Sequence, residues 1–111
     1  YGTLKKGHRN HRLLSNCKFL GDAFTNKNYA LFVSGLPYMV KRHNSLGVKG
    51  EVYEIDKVIL GFLDRLEGHP DFYERTEIEV TIFDTGEVVR CYTYLHPDVF
   101  EGQEPFLREF C

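Results

Sequence analysis

Tryptophan is absent from this 111-residue chain, methionine occurs once, proline four times and cysteine three times. The cysteines, Cys17, Cys91 and Cys111, are odd in number and far apart, with no C-x-x-C pair. That excludes a disulfide scaffold and a paired-cysteine zinc knuckle, and it fits free thiols in a reducing, cytoplasmic compartment. Cys17 and Cys91 are expected to act as small buried hydrophobes. Long apolar runs are missing as well: the longest, residues 29–33, is far short of the ~20 residues a membrane-spanning helix requires. It is also shorter than the apolar core of a signal peptide, so no membrane association is expected. The phosphate-cradling G-x-G-x-x-G and P-loop patterns and the G-x-S-x-G nucleophile elbow do not occur. His8 and His11 stand three apart with no acid or third His at ligand spacing, so no metal site is expected.

Acidic residues are scarce in the first half. Residues 1–50 hold nine Lys or Arg against one acid, Asp22, whereas residues 51–111 hold five against fifteen, which leaves a net charge of −2. Lys5, Lys6, His8, Arg9, His11 and Arg12 form the densest basic stretch. A pI near 6.2 lies well below that of a typical nucleic-acid-binding domain, so no nucleic-acid partner is expected. Complementary charges on two halves of one sheet account for the asymmetry; a basic flank beside an anionic small molecule stays open. What is present, 42% hydrophobic and 14% aromatic residues, suffices for one small core and a single domain, 1–111.

Gly and Asn punctuate the first half as in short strands joined by turns. Lys18–Thr25 and Tyr29–Ser34, separated by three turn-forming residues, read as a strand pair, with further strands at 38–41 and 48–54 split by a turn at 44–47. In 75–83, Thr76, Ile78, Val80 and Ile82 alternate with Arg75, Glu77, Glu79 and Thr81, the two-residue period of a strand with one face on a core. Asp84-Thr85-Gly86 then predicts a hairpin turn into Val88–Leu95. One helix is expected after the N-cap Asp56, with Ile59, Phe62, Leu63 and Leu66 on its apolar face and a stop at Gly68 and Pro70. A turn or two of helix is expected either after Leu14 or around 9–14, and 99–111 reads as a loop or short helical wrap. The order predicts an α+β fold: a small, mostly antiparallel β-barrel flanked by one main helix and short helical segments.

Glu67 breaks a local rule. A carboxylate in the last turn of a helix faces the negative end of the helix dipole, which disfavours it by ~0.3–1 kcal/mol. Its protonated form is thereby favoured, and its pKa is pushed from ~4.3 towards the range useful to a general base. An exposed Glu at a fraying helix end is the plain alternative. Tyr1-Gly2-Thr3-Leu4 is a second candidate: a Gly at the end of a strand lets backbone approach a bound group, and successive N–H groups form a concave donor site for carboxylates. The plain reading there is a strand leaving a sheet.

Three blocks in order carry a resemblance. Tyr1-Gly2-Thr3-Leu4-Lys5-Lys6-Gly7 followed by Asn10-His11-Arg12 is the first, and Val48-Lys49-Gly50-Glu51-Val52-Tyr53-Glu54-Ile55-Asp56 is the second. Leu63-Asp64-Arg65-Leu66-Glu67-Gly68 then Phe72-Tyr73-Glu74-Arg75-Thr76 is the third. Together they resemble the γ-glutamyl cyclotransferase-like family, and within it the γ-glutamylamine cyclotransferases. Cys91-Tyr92-Thr93-Tyr94 resembles the family's final barrel strand. The family also has a short apolar strand before its Tyr-Gly-Thr-Leu block, where this chain begins, and a barrel without it would have an open edge.

The resemblance implies a cyclotransferase that closes a γ-glutamyl group to 5-oxoproline and releases a free amine or amino acid, without a cofactor. It implies Glu67 as the acid/base and Tyr1, Gly2, Thr3 and Leu4 as the substrate-gripping loop. Tyr73 is expected either to lend substrate a hydroxyl contact or to be a core aromatic, and Arg75 to tie down strand ends. The partner is then a small γ-glutamyl molecule. A non-catalytic member of the same fold, binding a small metabolite or a protein, is the alternative.

Overall fold

The structure, a computed structural model, describes residues 1–34, 36–42, 45 and 47–96. Short 3-10 turns at Gly2–Leu4 and His11–Leu14 open the chain. There follow β1 (Lys18–Thr25), β2 (Tyr29–Ser34), β3 (Leu36–Lys41), β4 (Lys49–Glu54), the helix α1 (Lys57–Glu67), β5 (Glu74–Ile82) and β6 (Val88–Leu95). The large sheet has the order β4-β1-β5-β6 with every pair antiparallel, and β2 and β3 form a separate two-stranded ribbon. His96 N–H donates to Met39 C=O at 2.8 Å and fastens the ribbon to the end of β6. The whole curls into a half-barrel with α1 beside it, the α+β architecture expected from the sequence.

The predicted pairing of β1 with β2 is not found, although both strands have the expected bounds. β1 pairs with β4 and β5, while β2 pairs with β3. Burial supplies the reason. β1 alternates, with Gly21, Ala23 and Thr25 covered and their neighbours exposed, as a strand with one core face should. β2 instead buries Ala30, Leu31 and Phe32 in succession, with Leu31 in one cluster and Ala30 and Phe32 in another. Between them an Asx turn, Asn28 N–H to Asn26 Oδ1 at 2.8 Å, swings the chain out of the sheet. At the bulge in β1, Gly21 has φ +140°, and a Cβ there would stand 3.0 Å from Ile82 Cγ2.

Ile78, Val80 and Ile82 of β5 are buried with Ala23, Leu31, Met39, Val48 and Leu95. The β5–β6 hairpin closes with Gly86 N–H donating to Ile82 C=O at 2.9 Å. Asp56 caps α1, its Oδ1 accepting from Ile59 N–H at 2.8 Å, and Gly68 ends it at φ +67°.

The apolar face of α1 needs correction. Leu63 is 5% exposed, but Phe62 and Leu66 are 45% and 42% exposed. The inward stripe runs Ile59, Leu63, Glu67, four residues apart, so the helix turns its final carboxylate towards the protein. Phe62 lies under the Arg65 guanidinium at 5.0 Å instead of in the core. Charge complementarity between the halves is visible where Lys18 stands opposite Glu54 in the β1–β4 ladder. The ion pairs Arg75–Asp64 and Arg90–Glu77, however, both lie within the acidic half. Cys17 and Cys91 are free and half-buried, so the expected burial is partial. The predicted turn at 44–47 lies in part, and the segment 99–111 wholly, outside the described residues. Among the described residues no helix is long and apolar enough to cross a membrane.

Candidate active site

The first 3-10 turn, β4, the end of α1 and β6 converge on an open cleft of about 600 Å³ including its mouth. Tyr1 and Leu4 come from the turn, Glu51 and Tyr53 from β4, Leu63 and Glu67 from α1, and Tyr92 and Tyr94 from β6. On β4 the wall residues Glu51 and Tyr53 alternate, because i and i+2 share a face, whereas β6 contributes Tyr92, Thr93 and Tyr94 in succession. Each wall is tied to the next. The Tyr1 hydroxyl donates to Tyr94 C=O at 2.5 Å. Tyr1 also packs on the backbone of Gly50, where an added Cβ would sit 3.7 Å from its nitrogen. His11 Nδ1 lies 2.9 Å from Leu4 C=O; since a carbonyl only accepts, Nδ1 carries the proton. Glu51 Oε1 accepts from Lys6 N–H at 3.0 Å and from the Tyr53 hydroxyl at 2.9 Å.

Glu67, placed by the inward stripe of α1, is partly buried in this cleft beside Tyr1 and Leu4. Burial raises its pKa. The direction is the one expected from the sequence, but desolvation produces it, a cause the sequence could not display. Burial also raises the phenol pKa values of Tyr1, Tyr53 and Tyr94, so their hydroxyls stay protonated and donate. Lys5, only 8% exposed, brings a cation to the same wall.

Of the other candidates, Gly2 is buried at φ +71°, and Thr3 is the middle residue of the turn. The turn is 3-10, not the end of a strand, with Lys5 N–H closing on Gly2 C=O at 3.1 Å. Tyr73 is 6% exposed and does not itself line the cleft, but it packs with Leu14, Leu63 and Tyr94, which do. It stacks on Tyr38 at 6.0 Å and meets Phe72 edge-on at 4.8 Å, while its backbone N–H donates to Glu67 C=O at 3.1 Å. Arg75, expected to tie down strand ends, instead ties the start of β5 to α1, pairing with Asp64 at 2.7 Å. Sequence reasoning missed Glu51, Tyr53, Tyr92, Thr93 and Tyr94 as wall residues; the i, i+2 spacing of Glu51 and Tyr53 was a signal for β4, and no such alternation marks β6.

The sequence profile of a family described as γ-glutamyl cyclotransferase, AIG2-like, matches residues 1–109. The chain belongs to that family. A Methanocaldococcus jannaschii protein provisionally named a γ-glutamylcyclotransferase is 40% identical over 99 residues, covering 88% of this chain and 82% of that one. The γ-glutamylaminecyclotransferase of Bos taurus is 38% identical over 103 residues, covering 85% of this chain; the chain spans 61% of that relative's length. The crystal structure of an AIG2-like protein from Mus musculus superposes with a TM-score of 0.88 at 28% identity, over 100% of this chain and 84% of that one. The γ-glutamyl cyclotransferase, AIG2-like fold is therefore that of this chain.

Proposed function

We propose that this γ-glutamyl cyclotransferase family member converts a γ-glutamyl amide into 5-oxoproline and a free amine, with Glu67 as general acid and base. The observation that supports it most is the place of Glu67: a carboxylate with a raised pKa, partly buried on a cleft wall shared with Tyr1 and Leu4. The names of the relatives support the reaction class.

The substrate's α-amine and γ-carbonyl are spaced to close a five-membered lactam. An α-ammonium, of ordinary pKa ~7.7–8, cannot attack until it loses a proton. Glu67 takes that proton, and the neutral nitrogen adds to the γ-carbonyl carbon. The carbonyl π pair moves onto oxygen, then returns as the bond to the departing nitrogen breaks. Glu67 delivers its proton to that nitrogen as it leaves, and the second proton still on the ring nitrogen then passes through the freed carboxylate to the released amine, which departs as an ammonium ion. Substrate atoms divide between the lactam and the amine, and no water or redox equivalent is consumed. Backbone N–H groups of Gly2, Thr3 and Leu4 hold the substrate carboxylate or polarise the carbonyl, and Tyr73 is a further candidate for a hydroxyl contact. A positioned acid/base contributes ~10²–10⁴-fold, and holding the chain in its cyclising conformer adds an effective molarity of ~10⁵ M or more. The unpaired cysteines support a reducing, cytoplasmic setting for such an enzyme.

The test is 5-oxoproline release from γ-glutamyl-ε-lysine, γ-glutamyl-alanine and glutathione. Wild type is expected to turn over at least one of them and Glu67→Gln none, at a thermal melt no lower than that of wild type. Equal activity in Glu67→Gln would refute the assignment.

A further inference from the structure

Asp64 lies one helical turn before Glu67 and does not line the cleft. Its side chain is nevertheless tied through both oxygens. Oδ1 accepts from the Tyr94 hydroxyl at 2.6 Å, and Oδ2 accepts from Arg75 Nη1 at 2.7 Å. Those two partners face each other directly in the β5–β6 ladder, so both donors rise from one face of the sheet towards the helix. Charge-assisted bonds of this length are the stronger class of hydrogen bond.

The backbone of Asp64 closes a circuit. Its C=O accepts from His69 N–H at 2.9 Å, and His69 Nδ1 accepts from Arg75 N–H, also at 2.9 Å. Starting at Asp64, the path runs through its carboxylate to the Arg75 side chain, along Arg75 to its N–H, to His69, and back to Asp64. The peptide enclosed, 64–69, is the one that carries Glu67. Gly68, at φ +67°, lets the chain reverse there; a Cβ at that position would meet Phe72 Cβ at 3.0 Å. The Arg75 guanidinium also lies 5.0 Å over the ring of Tyr92, another cleft-wall residue, so its side chain touches helix and wall while its backbone N–H holds the loop at His69.

We infer that Asp64 is a positioning residue for the reaction: held by Arg75 and Tyr94, it sets the depth and direction at which α1 delivers Glu67 into the cleft. The inference rests on Glu67 being the acid/base. A misplacement of about 1 Å at a reacting group costs up to ~10²-fold in rate, so loosening this clamp acts on the chemical step more than on substrate binding.

The experiment measures kcat, KM and the thermal melt of the full chain for Asp64→Asn, Tyr94→Phe, Arg75→Met and Arg75→Lys beside wild type and Glu67→Gln. The expected result is a kcat lowered about 10- to 100-fold in Asp64→Asn with KM within about twofold. Arg75→Met is expected to share that pattern and Arg75→Lys, which returns a cation to Asp64, to recover most of it. A purely structural clamp would lower the melt and leave the kcat of the folded protein intact; that outcome overturns the inference. If Asp64→Asn does not fold, Tyr94→Phe and the Arg75 pair decide by the same kcat and KM criteria. Glu67→Gln separates the two claims. Its inactivity with an unimpaired Asp64→Asn overturns the clamp alone, whereas its activity overturns the acid/base reading itself.

Discussion

Among the described residues, the two larger buried cores are built to different rules. One, formed by Ala23, Leu31, Met39, Val48, Ile78, Val80, Ile82 and Leu95, is wholly apolar in its buried members. The other joins Leu14 and Leu63 to Tyr73 and Tyr94, with Tyr38 and Tyr53 packed against it, and borders the cleft. The first needs only shape and area. The second contains hydroxyls and adjoins three carboxylates and a guanidinium, each of which must find a partner when water is removed. Tyr94 and Arg75 find Asp64, and Tyr53 finds Glu51. Glu67 is the carboxylate whose burial leaves a raised pKa. The apolar core carries the fold, and the aromatic one carries a polar arrangement that folding alone does not require.

The largest expected effect falls on the apolar side. Leu31 is fully buried, and Leu31→Ala should lower the unfolding free energy by about 2–5 kcal/mol through lost transfer energy and the cavity left behind. Chemical denaturation measures it. The protein that remains folded is expected to keep the wild-type KM, because Leu31 is absent from the cleft wall. A shift in KM would show that the two cores are mechanically coupled.

The same division governs what the sequence discloses. The apolar core is legible: the alternation of Ile78, Val80 and Ile82 marks a buried face by its period alone, and the bounds of β1, β2 and β6 follow from β-branched and aromatic runs with turn residues between them. Pairing is not. That β1 joins β4 and β5 while β2 joins β3 depends on which faces are covered, a property of the assembled sheet. On α1, periodicity places Phe62 and Leu66 inward by their hydrophobicity, but the packed stripe is Ile59, Leu63, Glu67, and a carboxylate outranks two large apolar residues for the inward position. Glu67 itself is legible as a residue at the wrong end of a helix dipole. Its desolvation, and the links from Asp64 to Arg75 and Tyr94, are tertiary contacts, the links spanning 11 and 30 residues along the chain. No local pattern shows them.

Glu67→Gln gives the second effect, and here stability and activity move in opposite directions. A Glu whose pKa is higher folded than unfolded binds its proton more tightly in the native state. Stability linked to it is therefore fully present below the unfolded pKa of ~4.3 and is lost as pH rises through the higher folded value. Near neutrality the native state bears the cost of a buried negative charge, and the neutral amide removes it. Glu67→Gln is expected to be more stable than wild type at pH 7 by about 0.5–2 kcal/mol, the usual gain when a functional compromise is removed. The advantage should shrink towards zero as pH falls below 4. Thermal melts of both proteins at pH 4 and pH 7 measure it, and a variant less stable than wild type at pH 7 would mean the carboxylate is held by favourable bonds.

The smallest effect sharpens the boundary between the two regions at Tyr73, which belongs to the aromatic core by burial and is not among the residues lining the cleft. Its ring stacks with Tyr38 and meets Phe72 and His96 edge-on at 4.8 and 5.5 Å, all of which a phenylalanine would preserve. Tyr73→Phe removes only the hydroxyl, so stability should change by about 1 kcal/mol or less, the net worth of a typical hydrogen bond. A purely core role for Tyr73, which is not among the residues lining the cleft, predicts a KM within about twofold of wild type, and steady-state kinetics at saturating and limiting substrate check it. A tenfold rise in KM would put the hydroxyl on the substrate and extend the cleft behind the end of α1. A fall in kcat at constant KM would instead join Tyr73, through its neighbour Glu67, to the groups that set the carboxylate.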